Sequence, residues 1–361
     1  MELPARIGKY ELQEFLGGGM SHVYRAQDTV LGRTVALKIL TEAGVLDQES
    51  KARFLLEARM ASNIQHDNII SVYDFGEENG RPFIVMEFLR GESLRAAIKE
   101  KHTGDLGNKI RIANQIGRAL EYIHARKIVH RDIKPENVHV DTVGKVKLMD
   151  FGIAKSEGLS LTRAGFTLGT PYYMAPEQVL GQSVTYLVDV YAFGVLLYEL
   201  LAGVKPISGD TVERIFNQIL YEPLNIEPLR AVGVTPPLFD LILRCTAKQP
   251  AQRPQGFGIV CGELEALIDP AKPSTMQRQT TMNPQQTSTR PTQPTMPSQM
   301  QQQVQPRPAT RPSQDLEGLP GFVSMLPAPL RTQTGLIALA GLMTLLMIIV
   351  LYLVLSFAKI I

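Results

Sequence analysis

The sequence predicts an α+β chain: a small antiparallel β-sheet lobe with one helix, then a larger, mainly helical lobe, then a disordered linker and one transmembrane helix. Three observations carry this prediction. Apolar and polar residues alternate in short runs as far as about Leu89. Helical periodicity prevails from there to about Ile268, and the composition then changes twice, near Pro270 and again at Gly335.

The strand-like runs are YELQEFL (10–16), HVYRAQD (22–28), RTVALKIL (33–40), NIISVYDF (68–75) and FIVMEFL (83–89), with a helix between the third and fourth. In the second lobe KIRIANQIGRALEYIHA (109–125) and YLVDVYAFGVLLYELLAG (186–203) read as helices. A sheet lobe followed by a helical lobe leaves a cleft between them, where small-molecule sites commonly lie. The chain has 361 residues, 44% of them apolar, which is ample for such lobes. Its two cysteines, Cys245 and Cys261, have no metal-ligand spacing and read as small core residues. A net charge of +2, with no basic and aromatic stripe, argues against nucleic acid as a partner.

Residues 269–334 form the expected linker, dense in Pro, Gln and Thr, with too little apolar surface to offset the entropy of ordering. The cations that precede its first acid after Asp269, Lys272, Arg278, Arg290, Arg307 and Arg311, are too dispersed to define a lipid-binding site. Residues 335–358 carry no charge, and at about 1.5 Å per residue such a helix covers the roughly 30 Å hydrocarbon core of a bilayer. Residues 359–361 form a short tail. The start, MELPARIGKY, has no apolar run, so no cleavable signal peptide is expected there.

The chemistry-bearing residues come in a fixed order. HRDIKPEN (130–137) is followed 13 residues after Asn137 by Asp150-Phe151-Gly152. Val35-Ala36-Leu37-Lys38 precedes them, with Glu57 in RFLLEARM, and Ala175-Pro176-Glu177, Asp189 and Arg253 follow. Together these motifs resemble those of eukaryotic-like serine/threonine protein kinases of the bacterial receptor type, over residues 8–268. The resemblance implies a two-lobed protein-kinase fold over residues 1–268, with the first lobe at about 1–89 and the second at about 90–268.

It also implies roles, which the chemistry of the residues fits. Lys38 would hold the α- and β-phosphates of ATP and Glu57 would hold Lys38. Asn137 and Asp150 would bind Mg2+, with Mn2+ as the alternative, through hard oxygen donors. Asp132 would orient a substrate hydroxyl and accept its proton, with Lys134 beside the transferring phosphoryl group. The lysine in KPEN implies serine or threonine as acceptor. Met86 would be the gatekeeper, Glu87, Phe88 and Leu89 the hinge, and Val23 and Ala36 the roof over the purine. Glu136 is expected to favour a basic residue near the acceptor. Glu177 with Arg253 is expected to form a buried ion pair, and His66 and His124 structural contacts.

Two positions depart from the family pattern. His139 stands where the family usually has Leu, Ile or Met on the purine floor, so nucleotide affinity is expected to fall as pH drops through about 6.5. The glycine loop, Leu16-Gly17-Gly18-Gly19-Met20-Ser21, is one residue short. Val23 stands 15 residues before Lys38, so the flanking strands keep register and the hairpin tip absorbs the loss.

In the activation segment Thr162, with Thr167 second, is the expected autophosphorylation site, its phosphate bound by Arg131. Thr170 is the expected substrate-loop contact. The expected protein is thus an ATP-dependent, membrane-anchored serine/threonine protein kinase, single-pass, with its catalytic domain cytoplasmic. Its expected partners are protein substrates, the lipid bilayer through 335–358, and itself for trans-autophosphorylation. Receptor-type relatives continue into an outer sensor domain, so input here is expected through the membrane, partner proteins or crowding. The rivals are a membrane-tethered pseudokinase or scaffold, and a small-molecule phosphotransferase.

Overall fold

Period-two alternation builds the first lobe. A computed structural model describes residues 5–150 and 171–269. The chain separates into a unit of residues 1–285 and a second of residues 286–361, and the described residues all belong to the first. Strands β1 (Ala5–Ile7), β2 (Tyr10–Gly18), β3 (Ser21–Asp28), β4 (Arg33–Leu40), β5 (Val72–Glu78) and β6 (Arg81–Glu87) form one antiparallel sheet in the order β1-β2-β3-β4-β6-β5. Leu12, Tyr24, Ala26, Val35, Leu37 and Val85 pack on one face as its core. On β4 the alternation turns Ala36 and Lys38 to the opposite face, towards the cleft. Helices α1 (Glu42–Leu46) and α2 (Gln48–Ala61) follow β4. Thr41 caps the first by accepting from Gly44 N–H, and Asp47 caps the second by accepting from Ser50 N–H. Phe54 and Ala58 bury α2 against Leu40 and Ile84, which fixes where Glu57 points.

The sheet departs from expectation at two places. β1 is an extra strand, so the lysine of VALK lies on the fourth strand rather than the third. β5 begins at Val72, because Asn68 to Ile70 bond to the other lobe instead. Leu148 N–H donates to Asn68 O at 2.8 Å, Ile70 N–H donates to Leu148 O at 3.0 Å, and Ile69 is buried there.

The second lobe contains β7 (Glu92–Ser93), α3 (Leu94–Lys99), α4 (Leu106–His124), β8 (Val138–Val140), β9 (Val146–Leu148), α5 (Pro176–Val179) and α6 (Leu187–Ala202). Helices α7 (Val212–Leu220), α8 (Glu227–Ala231), α9 (Pro236–Cys245) and α10 (Phe257–Ile268) complete it. The three-stranded sheet β7-β8-β9 was not expected from the helical periodicity, since its strands are only two or three residues long. α6 is apolar all round and buried from Leu187 to Leu201, which makes it the axis of the lobe. It ends at Gly203, whose φ of +74° is the left-handed cap that glycine adopts at little cost. Both cysteines are buried where helices approach glycine. A Cβ on Gly117 of α4 would lie 2.7 Å from Cys261 Sγ, and one on Gly194 of α6 would lie 2.7 Å from Cys245 Cβ. Burial pushes both thiols up to about 12, so neither is a nucleophile at neutral pH.

Candidate active site

The cleft between sheet and helical lobe encloses about 680 Å³. Its roof follows from strand register: Val23 pairs with Lys38 across β3 and β4, and Ala36 pairs with Met86 across β4 and β6. Leu16, Gly17 and Gly18 close it from above, the segment Glu87, Phe88 and Leu89 lies at its edge, and His139 lies on its floor. The Glu87 carboxylate is already engaged: it accepts from Ser71 N–H at 2.8 Å and from Lys147 Nζ at 2.6 Å.

Gly19, Met20 and Ser21 do not line the cleft. β2 and β3 pair as far as Gly18 with His22, so Gly19, Met20 and Ser21 make the turn between them. The flanking pair does not keep one register: shifts fall between Leu12 and Glu14 and between Phe15 and Gly17, ahead of the hairpin tip. At Gly18, φ is +140° and a Cβ would sit 1.9 Å from Ser21 O, so only glycine fits. The turn is also tied down, because Met20 O accepts from Thr41 N–H at 3.0 Å and from Thr41 Oγ1 at 2.9 Å. Thr41 carried no signal in the sequence beyond its capping chemistry.

Lys38 Nζ reaches both acids at the back of the cleft, Glu57 Oε1 at 2.8 Å and Asp150 Oδ1 at 2.9 Å. The lysine lowers the Asp150 pKa, and the two carboxylates raise that of Lys38 against the effect of burial. Burial raises Glu57, with Lys38 opposing. Asp150 itself has φ +46°, a strained conformation that aims its carboxylate into the cleft.

The catalytic loop is held from below by one buried acid. Asp189 Oδ2 accepts from His130 N–H and Oδ1 from Arg131 N–H, both at 2.8 Å, while His124 Nε2 bonds Oδ2 at 2.8 Å. Arg131 is thereby kept at φ +63°. Burial keeps His130 neutral: its Nε2–H donates to Met149 O at 3.2 Å, and its Nδ1 accepts from Asp132 N–H at 3.3 Å. Above this base, Asp132 Oδ2 accepts from Lys134 Nζ at 2.8 Å and from Asn137 Nδ2 at 2.9 Å. Asn137 Nδ2 also donates to Asp132 O at 2.8 Å, so its remaining acceptor is the amide oxygen.

That oxygen and the Asp150 carboxylate form a hard, two-oxygen donor pair. Among the described residues no three His, Cys, Asp or Glu side chains cluster as a metal cage. The pair fits a divalent cation whose other positions are taken by phosphate and water oxygens, as Mg2+ prefers.

His139 sits on β8, half-buried, and its Nε2 has no hydrogen-bond partner among the described residues. Burial lowers its pKa, opposed by the Arg90 backbone, Asp141 and Glu92. The expected titration step at about 6.5 therefore moves lower. The Glu136 carboxylate has a cationic partner within the chain, since Arg95 Nε donates to its Oε1 at 2.8 Å. Glu177 and Arg253 form a buried bidentate pair at 2.6 and 2.8 Å. Thr162, Thr167, Thr170, Phe151, Gly152 and the span 335–358 lie outside the described residues. No helix of the described residues is long and apolar enough to cross a membrane.

The protein kinase domain family matches residues 10–262. The chain is 38% identical over 274 residues to the serine/threonine-protein kinase pkn3 of Myxococcus xanthus, covering 72% of this chain and 50% of that protein. It is 40% identical over 266 residues to the DNA damage-responsive serine/threonine-protein kinase RqkA of Deinococcus radiodurans, covering 72% and 39%. It therefore spans half or less of these relatives' lengths. A crystal structure of Rad53 1-466 in complex with AMP-PNP superposes with a TM-score of 0.57 at 27% identity, covering 68% of this chain and 62% of that one. The chain belongs to the protein kinase family, in its bacterial eukaryotic-like serine/threonine group.

Proposed function

We propose that this protein is an ATP-dependent serine/threonine protein kinase that transfers the γ-phosphoryl group to protein hydroxyls and autophosphorylates its activation segment. The observations that carry the reading are two clusters, Lys38 with Glu57 and Asp150, and Asp132 with Lys134 and Asn137, tied by the bond from Met149 N–H, next to Asp150, to Asn137 O. Lys38 is held between two acids, where its ammonium meets phosphate oxygens. Asp150 and Asn137 would hold the divalent cation, Mg2+ before Mn2+, which would supply charge neutralisation for the phosphates. Asp132, aligned by Lys134 and Asn137, receives the hydroxyl proton. Lys134 compensates charge on the moving phosphoryl group.

Membrane attachment through 335–358, with the catalytic domain on the cytoplasmic side, follows from the uncharged run and the need for ATP. Self-association on the membrane would bring activation segments to neighbouring active sites, and Thr162 and then Thr167 are the acceptors proposed.

The test incubates the full chain with labelled ATP and Mg2+, alone and with a generic protein substrate. Transfer to serine or threonine that disappears in Asp132→Asn supports the reading. Nucleotide binding without any transfer favours the pseudokinase or scaffold, and transfer only to small molecules favours the other rival.

A further inference from the structure

Beside the catalytic loop two carboxylates converge with a guanidinium between them. Glu136 lies four residues after Asp132 and directly before Asn137. Glu199 comes from the buried helix α6 and is 3% exposed. Arg95, on α3, spans both. Its Nε donates to Glu136 Oε1 at 2.8 Å, its Nη1 donates to Glu199 Oε1, and its Nη2 donates to the Tyr173 hydroxyl. Tyr173 in turn donates to Glu199 Oε2. Every nitrogen of the guanidinium is thus used.

The location decides what this cluster does. Glu136 lines the nucleotide cleft, and Tyr173 shares a small cavity with Asp132 just below the catalytic loop. Glu136 is the most exposed member of the cluster and lies four residues from Asp132, within reach of a residue flanking a hydroxyl placed at Asp132. Without Arg95 the two glutamates would form a pocket of charge −2, one wall of it desolvated, which would demand a cation. Arg95 supplies that cation from within the chain. A substrate arginine would have to displace a tethered partner whose effective concentration is high.

We propose that Arg95 is a specificity-determining residue, occupying from inside the chain the acidic pocket that would otherwise read a basic side chain of the substrate. This rests on the protein-kinase reading above. The phosphorylated protein is therefore selected without an arginine near the acceptor, and loss of Arg95 opens a basic-residue subsite.

The test uses the full chain and serine peptides in which one arginine is moved through the positions flanking the acceptor, against an all-alanine reference. In wild type, kcat/KM with arginine stays within about threefold of the reference at every position, and Glu136→Gln leaves these ratios unchanged. Arg95→Ala gains about tenfold, equivalent to roughly 1.4 kcal/mol, at one arginine position. A wild-type arginine preference of that size that Glu136→Gln abolishes overturns the proposal, whether or not Arg95→Ala folds. A folded Arg95→Ala with wild-type ratios overturns it too. N-acetyl-arginine amide gives a readout independent of transfer: it should raise the Tm of Arg95→Ala saturably and leave wild type unmoved, and equal shifts in both count against the pocket. A wild type that phosphorylates no peptide contradicts the kinase reading, while this thermal shift still decides the occupancy of the pocket.

Discussion

Replacing Asp189 by alanine removes the acceptor that both His130 and Arg131 N–H groups use at 2.8 Å, in a place with no exposure to solvent. Each backbone donor left buried without a partner costs about 1–3 kcal/mol, and relaxing Arg131 from its left-handed φ returns about 1–3 kcal/mol of strain. The net destabilisation is then about 2–4 kcal/mol, with His124 losing its partner as well. For a domain of this size, about 2–4 °C of Tm accompanies each kcal/mol, so Tm should fall by roughly 4–16 °C. Activity should suffer beyond stability, because the relaxed loop no longer aims Asp132. Calorimetry and kcat measured well below the new Tm are the assays. Asp189→Asn, which keeps one acceptor oxygen, should lie between. A Tm within 1 °C of wild type together with an unchanged kcat would refute the reasoning that this acid sets the loop.

Four further outcomes follow from the geometry. Glu177→Ala strands the Arg253 guanidinium in the core and should cost about 3–5 kcal/mol by denaturant unfolding, whereas replacing both partners with apolar residues should cost less. Thr41→Val removes the side-chain tie to Met20 O and the α1 cap, and should cost about 0.5–2 kcal/mol while changing the KM for ATP, read from steady-state kinetics. Inserting one residue after Gly17 should also change that KM, since it alters the short turn that Thr41 holds. His130, His66 and His139 all have pKa values lowered by burial, so the unfolded chain binds more protons than the folded one as pH falls. Stability should decline below the ordinary imidazole value of about 6.5, and His139→Leu should remove part of that decline and shift the pH dependence of nucleotide affinity.

Residues carrying chemistry were legible in the sequence because phosphoryl transfer demands charged groups at fixed separations along the chain. Lys38, Glu57 and Asp150 meet in the cleft, and Asp132, Lys134 and Asn137 form a second cluster in the catalytic loop, tied to the first by the bond from Met149 N–H to Asn137 O. Strand pairing was less legible. Asn68 to Ile70 have the composition of a strand, but their backbone partners are on β9 of the other lobe, and no local pattern reports a distant partner. The short strands β7 to β9 escaped for the same reason, being too brief to show alternation. The partner of Glu136 was not legible, because Arg95 lies 41 residues away in sequence. Similarly, the missing residue of the glycine loop could be counted from Lys38, but the bond from Thr41 that fixes the shortened turn could not.

The most direct test of the account separates binding from transfer in the full chain. Mg2+ and ATP affinity and phosphoryl transfer to a serine-containing protein should be measured side by side for wild type, Asp132→Asn and Lys38→Met. The account predicts that Asp132→Asn keeps nucleotide affinity but loses about 10²–10⁴-fold in transfer rate, since only proton acceptance and hydroxyl alignment are removed. Lys38→Met should lose transfer with its two acids left unpaired. Undiminished transfer in Asp132→Asn would contradict the assignment of the base and, with it, the central claim.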